Sequence, residues 1–245
     1  IFIQQISLIM AKLYVFGIGG TGSRVLRSLT MLLASGVDTN GYDIVPIIID
    51  PDCSNGNLTQ NVSLMDSYVS IREKLSFTHG NNNRFFSTKI DKVLQDFTMP
   101  VEKTADLKFH EFIDLSGMED RANQAMTRML FSDNNLNSDM NIGFKGNPNM
   151  GSVVLNQLAS SPAFQSFAQS FQSGDKIFII SSIFGGTGAS GFPLLLKTMR
   201  TDNTLPNSAA INNAQIGAVT VLPYFKLKKD DESSIDSATF ISKAK

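Results

Sequence analysis

At 245 residues the chain has room for one large α/β domain or two small ones, and a hydrophobic share of 42% supplies a sizeable core. A formal net charge of −1 gives no global field that would gather nucleic acid or an anionic membrane, and no apolar run approaches the ~20 residues that span a bilayer. The single cysteine, Cys53, cannot close a disulfide within the chain, which fits a reducing, cytoplasmic setting.

The opening Ile1–Met10 is apolar but short and lacks the basic start and small-residue cleavage site of a signal peptide; Met10-Ala11-Lys12 reads as a natural start. Lys12–Phe16 is a β-rich run that ends at glycine. After Gly17–Gly22, residues Ser23–Ser35 carry Val25, Leu26, Leu29, Leu32 and Leu33 at helical spacing, and Gly36 suits the position just past a helix end. Ile44–Ile49 is the next strand, with Asp50-Pro51-Asp52 at its carboxyl end. Further on, Tyr68–Leu75, Ile90–Phe97 and Asp120–Phe131 are predicted helices, the last with Ala122, Ala125, Met126, Met129 and Leu130 on one side. His79–Arg84 reads as a polar loop, and Ser132–Met140 as a polar, Asn-rich stretch.

Gly143–Gly151 (GFKGNPNMG) is a tight loop, and Val153–Phe171 has helical spacing that Pro162 should kink or split. Lys176–Ile183 is the most strongly patterned buried strand. Phe184–Gly191 is a second glycine loop, Phe192–Met199 the helix after it, and Ile216–Leu222 a further strand. Strands that alternate with helices and are apolar on both faces predict a doubly wound α/β fold, a mainly parallel sheet with helices on both faces. One domain over residues 10–245 is expected, with a probable insertion within 54–140.

The first loop, Gly17-Ile18-Gly19-Gly20-Thr21-Gly22, fits G-x-G-x-x-G between a strand and a helix. Glycines let backbone turn tightly and approach a phosphate, and the helix start offers free N–H groups and partial positive charge. This loop alone fits a nicotinamide or flavin dinucleotide fold equally well, with Asp50 as the acid 28 positions past Gly22. The second loop, Gly185-Gly186-Thr187-Gly188-Ala189-Ser190-Gly191, also follows a strand and opens a helix. Two such loops in one domain point to a polyphosphate held from two sides, with Thr187 as a hydroxyl donor. His79 and His110 have no metal-ligand spacing, and the Phe164, Phe167, Phe171 stripe reads as core.

Phe184–Gly191 resembles the tubulin signature loop [SAG]-G-G-T-G-[SA]-G, with Gly185-Gly186-Thr187-Gly188-Ala189 matching five consecutive places. Phe184 and Ser190 depart from it at the two ends. Phe16–Leu29 is similar to the first phosphate loop and helix of FtsZ, except that Arg24 stands where FtsZ usually has Asn. Gly143–Gly151 resembles the FtsZ loop GAGGNPxxG, Asp50-Pro51-Asp52 the tubulin D-x-E loop, and Thr220–Phe225 the strand and turn that lead FtsZ towards the ribose. Pro193 falls where FtsZ proteins carry a proline.

The resemblance, a divergent bacterial tubulin-like branch, implies a GTPase that binds GTP or GDP with Mg²⁺. On it, Gly17, Gly19, Gly20, Thr21, Gly22, Gly185, Gly186, Thr187, Gly188 and Ala189 hold the α- and β-phosphates. Gly146, Asn147 and Pro148 approach the γ-phosphate, and Asp52 with Asp50 organises the metal. It implies head-to-tail filaments, since a heterologous interface that does not close makes filaments, and a catalytic acid supplied by the neighbouring subunit. The helix that reads guanine and the loop that carries that acid are expected beyond Lys245. The rivals are a dinucleotide-dependent oxidoreductase and a nucleotide-binding scaffold without hydrolysis. A branched side chain at Gly186 is expected to block binding and leave the fold intact.

Overall fold

The computed structural model describes residues 10–52, 56–75, 77, 84–104, 106–140, 143–144 and 146–222. The readings made on Ile1–Ile9, Cys53, His79, Lys145, Pro223–Phe225 and everything after them lie outside the described residues.

Four strands, β1 (Lys12–Ile18), β2 (Asp43–Ile49), β3 (Lys176–Ser182) and β4 (Gln215–Val221), form one parallel sheet in the order β2-β1-β3-β4. Side chains alternate across it. Tyr14, Phe16, Ile18, Val45, Ile47, Ile49, Ile177 and Ile179 enter one core, and Val15, Ile44, Ile48 and Ile180 the other. Helices α1 (Gly19–Ala34) and α2 (Gly56–Glu73) cover the second face. The first is covered by elements of the long crossover from β2 to β3 and by α8 (Gly186–Thr201), which follows β3. That crossover holds α3 (Phe109–Phe112), α4 (Arg121–Leu130), α5 (Asp133–Leu136), α6 (Pro148–Leu155) and α7 (Pro162–Ser170). A short helix, α9 (Ser208–Asn212), leads into β4. The sheet is therefore doubly wound, as its apolar runs predict.

The predicted helix over 153–171 is split at Pro162. Ser161 caps α7 by accepting from Phe164 N–H, and Pro162 takes the first helical position, where its missing donor costs nothing. The Phe stripe is core. Phe167 is fully buried and its ring meets Tyr14, Phe16, Phe164 and Phe171 at 5.1–5.9 Å between centroids, mostly edge-on.

Two expectations need correction, and a third is met with a difference. Ile90–Phe97 is not a helix. Its flanks are pinned to the free edge of β2, where Ile44 N–H donates to Lys89 O (2.9 Å) and Met99 N–H to Ile48 O (2.8 Å), and Pro46 between them offers no donor. The segment bulges past that gap, and Asp96 and Phe97 turn with positive φ. Next, β4 is not buried on both faces: it is the other edge strand, and Val219 is 45% exposed. Finally, α4 forms as predicted, but no residue of it is buried; Met126, Met129 and Leu130 face solvent while Gln124 Nε2 bonds Met118 O.

Candidate functional site

The connection after β1 runs to β2 on one side, and the connection after β3 runs to β4 on the other. β1 and β3 are neighbours and parallel, so their carboxyl ends flank the point where the winding reverses, the place in open α/β sheets where a crevice forms. Both glycine loops lie there, and both are the first turns of their helices. α1 begins at Gly19 and α8 at Gly186, each earlier than hydrophobic spacing predicts, because spacing cannot register a turn made of glycine.

The residue before α1 is Ile18 and the residue before α8 is Gly185; neither helix start has a side-chain cap, and neither first turn holds an acid. Two bundles of orphan N–H groups and two positive dipole ends thus face the same crevice. Gly185 has φ 118°, ψ 176°, a conformation open only to glycine, and Gly19 has φ 67°. The loops touch: a Cβ on Gly19 would lie 3.3 Å from Thr187 Cβ and 3.6 Å from Gly188 N. The Thr187 hydroxyl has no hydrogen-bond partner among the described residues.

The other glycines of these loops serve packing. A Cβ on Gly22 would meet the Gly17 carbonyl carbon at 2.5 Å and Ile180 O at 2.8 Å, and one on Gly188 would meet Ser182 O at 2.5 Å. Each seats a helix directly on its strand. Ser182 Oγ also accepts from Phe184 N–H at 2.9 Å, fixing the turn into the second loop.

The third loop packs on the second. A Cβ on Gly186 would meet Phe144 Cβ at 2.5 Å and Asn147 N at 3.3 Å, so a branched residue there disrupts the junction itself. The expectation that such a change leaves the fold intact is therefore corrected. Asn147 Oδ1 caps α6, accepting from Asn149 N–H at 3.1 Å and Met150 N–H at 3.3 Å, with Pro148 at the first helical position. Its side-chain oxygen is occupied, and α6, unlike α1 and α8, satisfies its own amino end. Gly146 turns with φ 77°. Ser190, which stands where the tubulin motif has glycine, is buried, donates to Gly186 O at 2.6 Å and takes the space that a side chain at Gly151 would fill. The departure at 190 is thus matched by a glycine on the facing helix.

Ile49 pairs with Ile18, so Asp50 follows at the level of Gly19, one strand to the side. Burial pushes its carboxyl up to about 6, against the help of Asp52 N–H, which donates to Asp50 Oδ1 at 3.2 Å; the nearby Asp52 charge pushes it further up. Among the described residues no group of three or more His, Cys, Asp or Glu is arranged to hold a metal alone. The donor set suits Mg²⁺ that completes its shell with phosphate oxygens and water, which needs only one or two carboxylates. His110 is tied through Nδ1 to Leu136 O at 2.8 Å.

Spacing did not reveal Asn61, which reaches from α2 to Ser23 O (3.0 Å) and Ser23 Oγ on α1 and leaves its own buried Oδ1 without a partner among the described residues. With Met65 and Tyr68 it makes a helical buried stripe, but its polar character hides the pattern. A cavity of about 580 Å³ lies at the opposite, amino end of the sheet, lined by Lys12, Asp43, Arg72, Lys89 and Asp91 among others. Its charges largely answer one another, with Lys12 at 2.7 Å and Lys89 at 3.5 Å from Asp91. Among the described residues no helix is long and apolar enough to cross a membrane.

No family model and no curated protein matches the sequence. Among solved structures the chain is similar to CetZ from Methanosaeta thermophila strain DSM 6194, at 15% identity and a TM-score of 0.42, over 89% of this chain and 39% of that one. It is also similar to an empty FtsZ dimer from M. jannaschii, at 20% identity and a TM-score of 0.40, over 87% and 36%. CetZ and FtsZ are members of the tubulin/FtsZ superfamily. The chain spans less than two fifths of the length of either structure.

Asp50 makes the site pH-sensitive. A folded value of about 6 lies above the ordinary 3.8, so the folded protein binds the proton more tightly. Stability is greatest below the ordinary value and is lost as pH rises from about 4 to about 6. Asp50→Asn keeps the acceptor for Asp52 N–H and removes the charge. It is expected to stabilise the empty chain at pH 7 by up to about 2–3 kcal/mol and to flatten urea-denaturation stability between pH 4 and 6. Unchanged stability at pH 7 would show that the carboxylate is not strained.

Proposed function

We propose that the chain is the nucleotide-binding part of a tubulin/FtsZ-like protein and holds the phosphates of GTP or GDP in the crevice between α1 and α8. The observation that carries this reading is the pair of uncapped helix starts at the winding reversal. A polyphosphate satisfies both sets of orphan amides at once. A dinucleotide fold of the nicotinamide type uses one such loop and leaves the start of α8 unexplained. Guanine, as opposed to another base, comes from the motif resemblance.

In this reading the amides of Gly19–Gly22 and Gly185–Ala189 bind the α- and β-phosphate oxygens, and the Thr187 hydroxyl adds a donor. Gly146–Pro148 border the crevice on the γ-phosphate side, with Asn147 supplying backbone and Nδ2 groups only. Asp50, with Asp52, would hold Mg²⁺; when bound, the ion neutralises phosphate charge and relieves the desolvated carboxylate. Self-association head to tail follows from the resemblance, as does a catalytic acid arriving from the next subunit.

Gly20 is the cleanest position for a test. A Cβ there meets only the flexible Arg24 guanidinium at 3.7 Å, and helical side chains lean towards the amino end, over the orphan amides. Gly20→Val costs no helix propensity. Calorimetry with GTP and Mg²⁺ is expected to give at least tenfold weaker binding for Gly20→Val than for the parent, with the thermal unfolding of the empty protein unchanged. Equal affinities would remove the first loop from the site.

Turnover tests the second half of the reading. Phosphoryl transfer depends on groups positioned around the attacking water, and these are assigned to the neighbouring subunit. The 245-residue chain is therefore expected to bind GTP and release phosphate only slowly. Brisk release, strictly proportional to protein concentration, would mean a complete active site in one subunit.

A further inference from the structure

The seam between α6 and α8 carries a buried hydroxyl where the resembled motif has glycine. Ser190 is 2% exposed. Its hydroxyl turns back along its own helix, donating to Gly186 O at 2.6 Å and lying 3.3 Å from Thr187 O. Such a back-bond holds the side chain in one rotamer, and the oxygen so held meets α6. A Cβ built on Gly151 would fall on Ser190 Oγ, 3.0 Å from Ser190 Cβ and 2.9 Å from Phe144 Cδ2. The spacing of α6 on α8 is therefore set by one hydroxyl oxygen on one helix and a missing side chain on the other.

This seam leads directly to the loops. Gly186, whose carbonyl takes the Ser190 proton, is also the glycine on which the third loop rests: a Cβ there would lie 2.5 Å from Phe144 Cβ and 3.3 Å from both Asn147 N and Asn147 O. Gly151 N–H donates to Asn147 O at 3.2 Å. A shift of α6 across α8 thus carries Asn147 with it and moves the third loop against the second.

We propose that Ser190, acting through Gly151, is a positioning residue that holds the third loop at its working distance from the second and so sets the preference for a triphosphate over a diphosphate. This rests on the proposed nucleotide site, in which the third loop borders the γ-phosphate side. Without the hydroxyl, Gly186 O keeps its place in the main-chain ladder of α8, so the amides assigned to the α- and β-phosphates stay in position. The seam instead gains a void that α6 settles into only in part, and the γ-phosphate side is displaced.

The test is calorimetry of the full chain with Mg²⁺ and either GDP or a GTP analogue whose β,γ-imido bridge resists hydrolysis. The variants are Ser190→Ala, Gly151→Ala, and Gly151→Ala combined with Ser190→Gly, with thermal unfolding of each read alongside. Ser190→Ala is expected to lower the ratio of triphosphate to diphosphate affinity at least threefold, with GDP affinity close to that of the parent. Gly151→Ala overfills the same seam and is expected to lower both the ratio and the unfolding temperature. Adding Ser190→Gly removes the oxygen and the Cβ it meets and is expected to recover part of both. An unchanged ratio in Ser190→Ala overturns the proposal, as does equal weakening of both nucleotides, which marks a merely structural residue. A Gly151→Ala defect that Ser190→Gly leaves unrelieved overturns the contact between them. A parent that binds neither nucleotide overturns the proposed function, and this residue's role with it.

Discussion

Backbone N–H groups at the start of a helix have no partner within the helix, and two helices here begin side by side with no side-chain cap among the described residues. The topology compels the arrangement. β1 and β3 are adjacent and parallel, and their following connections leave in opposite directions, so α1 and α8 start on the two sides of one crevice. Much of the local sequence serves this geometry. Gly17 and Gly22 bring α1 onto β1, and Gly188 brings α8 onto Ser182, with separations that no side chain would allow. Asp50 is left at the edge of the same crevice with a desolvated carboxylate.

The long crossover between β2 and β3 steadies both helices. On one face α2 packs against α1 and Asn61 bonds Ser23 within its second turn. On the other, α6 lies on α8, where Ser190 and Gly151 interlock. Because α6 is capped by its own Asn147, the third loop takes no unmet donors of its own helix to the crevice; it shapes the wall and holds Gly186 in place. Segment 84–101 meanwhile runs along the outer edge of β2 and occupies backbone groups that an edge strand would otherwise expose.

The strands and the two glycine loops were legible in the sequence because continuous apolar runs, two of them leading into glycine, are a strong signal. The order of the motifs pointed to their association. Helix starts were read late, at Ser23 and Phe192, since periodicity is blind to glycine turns. Ile90–Phe97 was misread because its apolar residues mimic helical spacing while its geometry is set by the edge of β2, a tertiary contact. The outward face of α4 was equally hidden: an amphipathic pattern says which residues share a side, and only the fold says where that side points. Asn147 was read only as a ligand contact, and its side-chain oxygen also caps α6, a role that an Asn-Pro pair before a helix commonly signals.

The central claim is that both helix starts serve one anionic ligand. Amide hydrogen exchange, read by mass spectrometry with and without GTP and Mg²⁺, tests it most directly. The account predicts that GTP slows exchange in residues 19–22 and 186–189 together, while guanosine at the same concentration protects neither segment to that degree. Protection of one segment alone, or of neither, would contradict it.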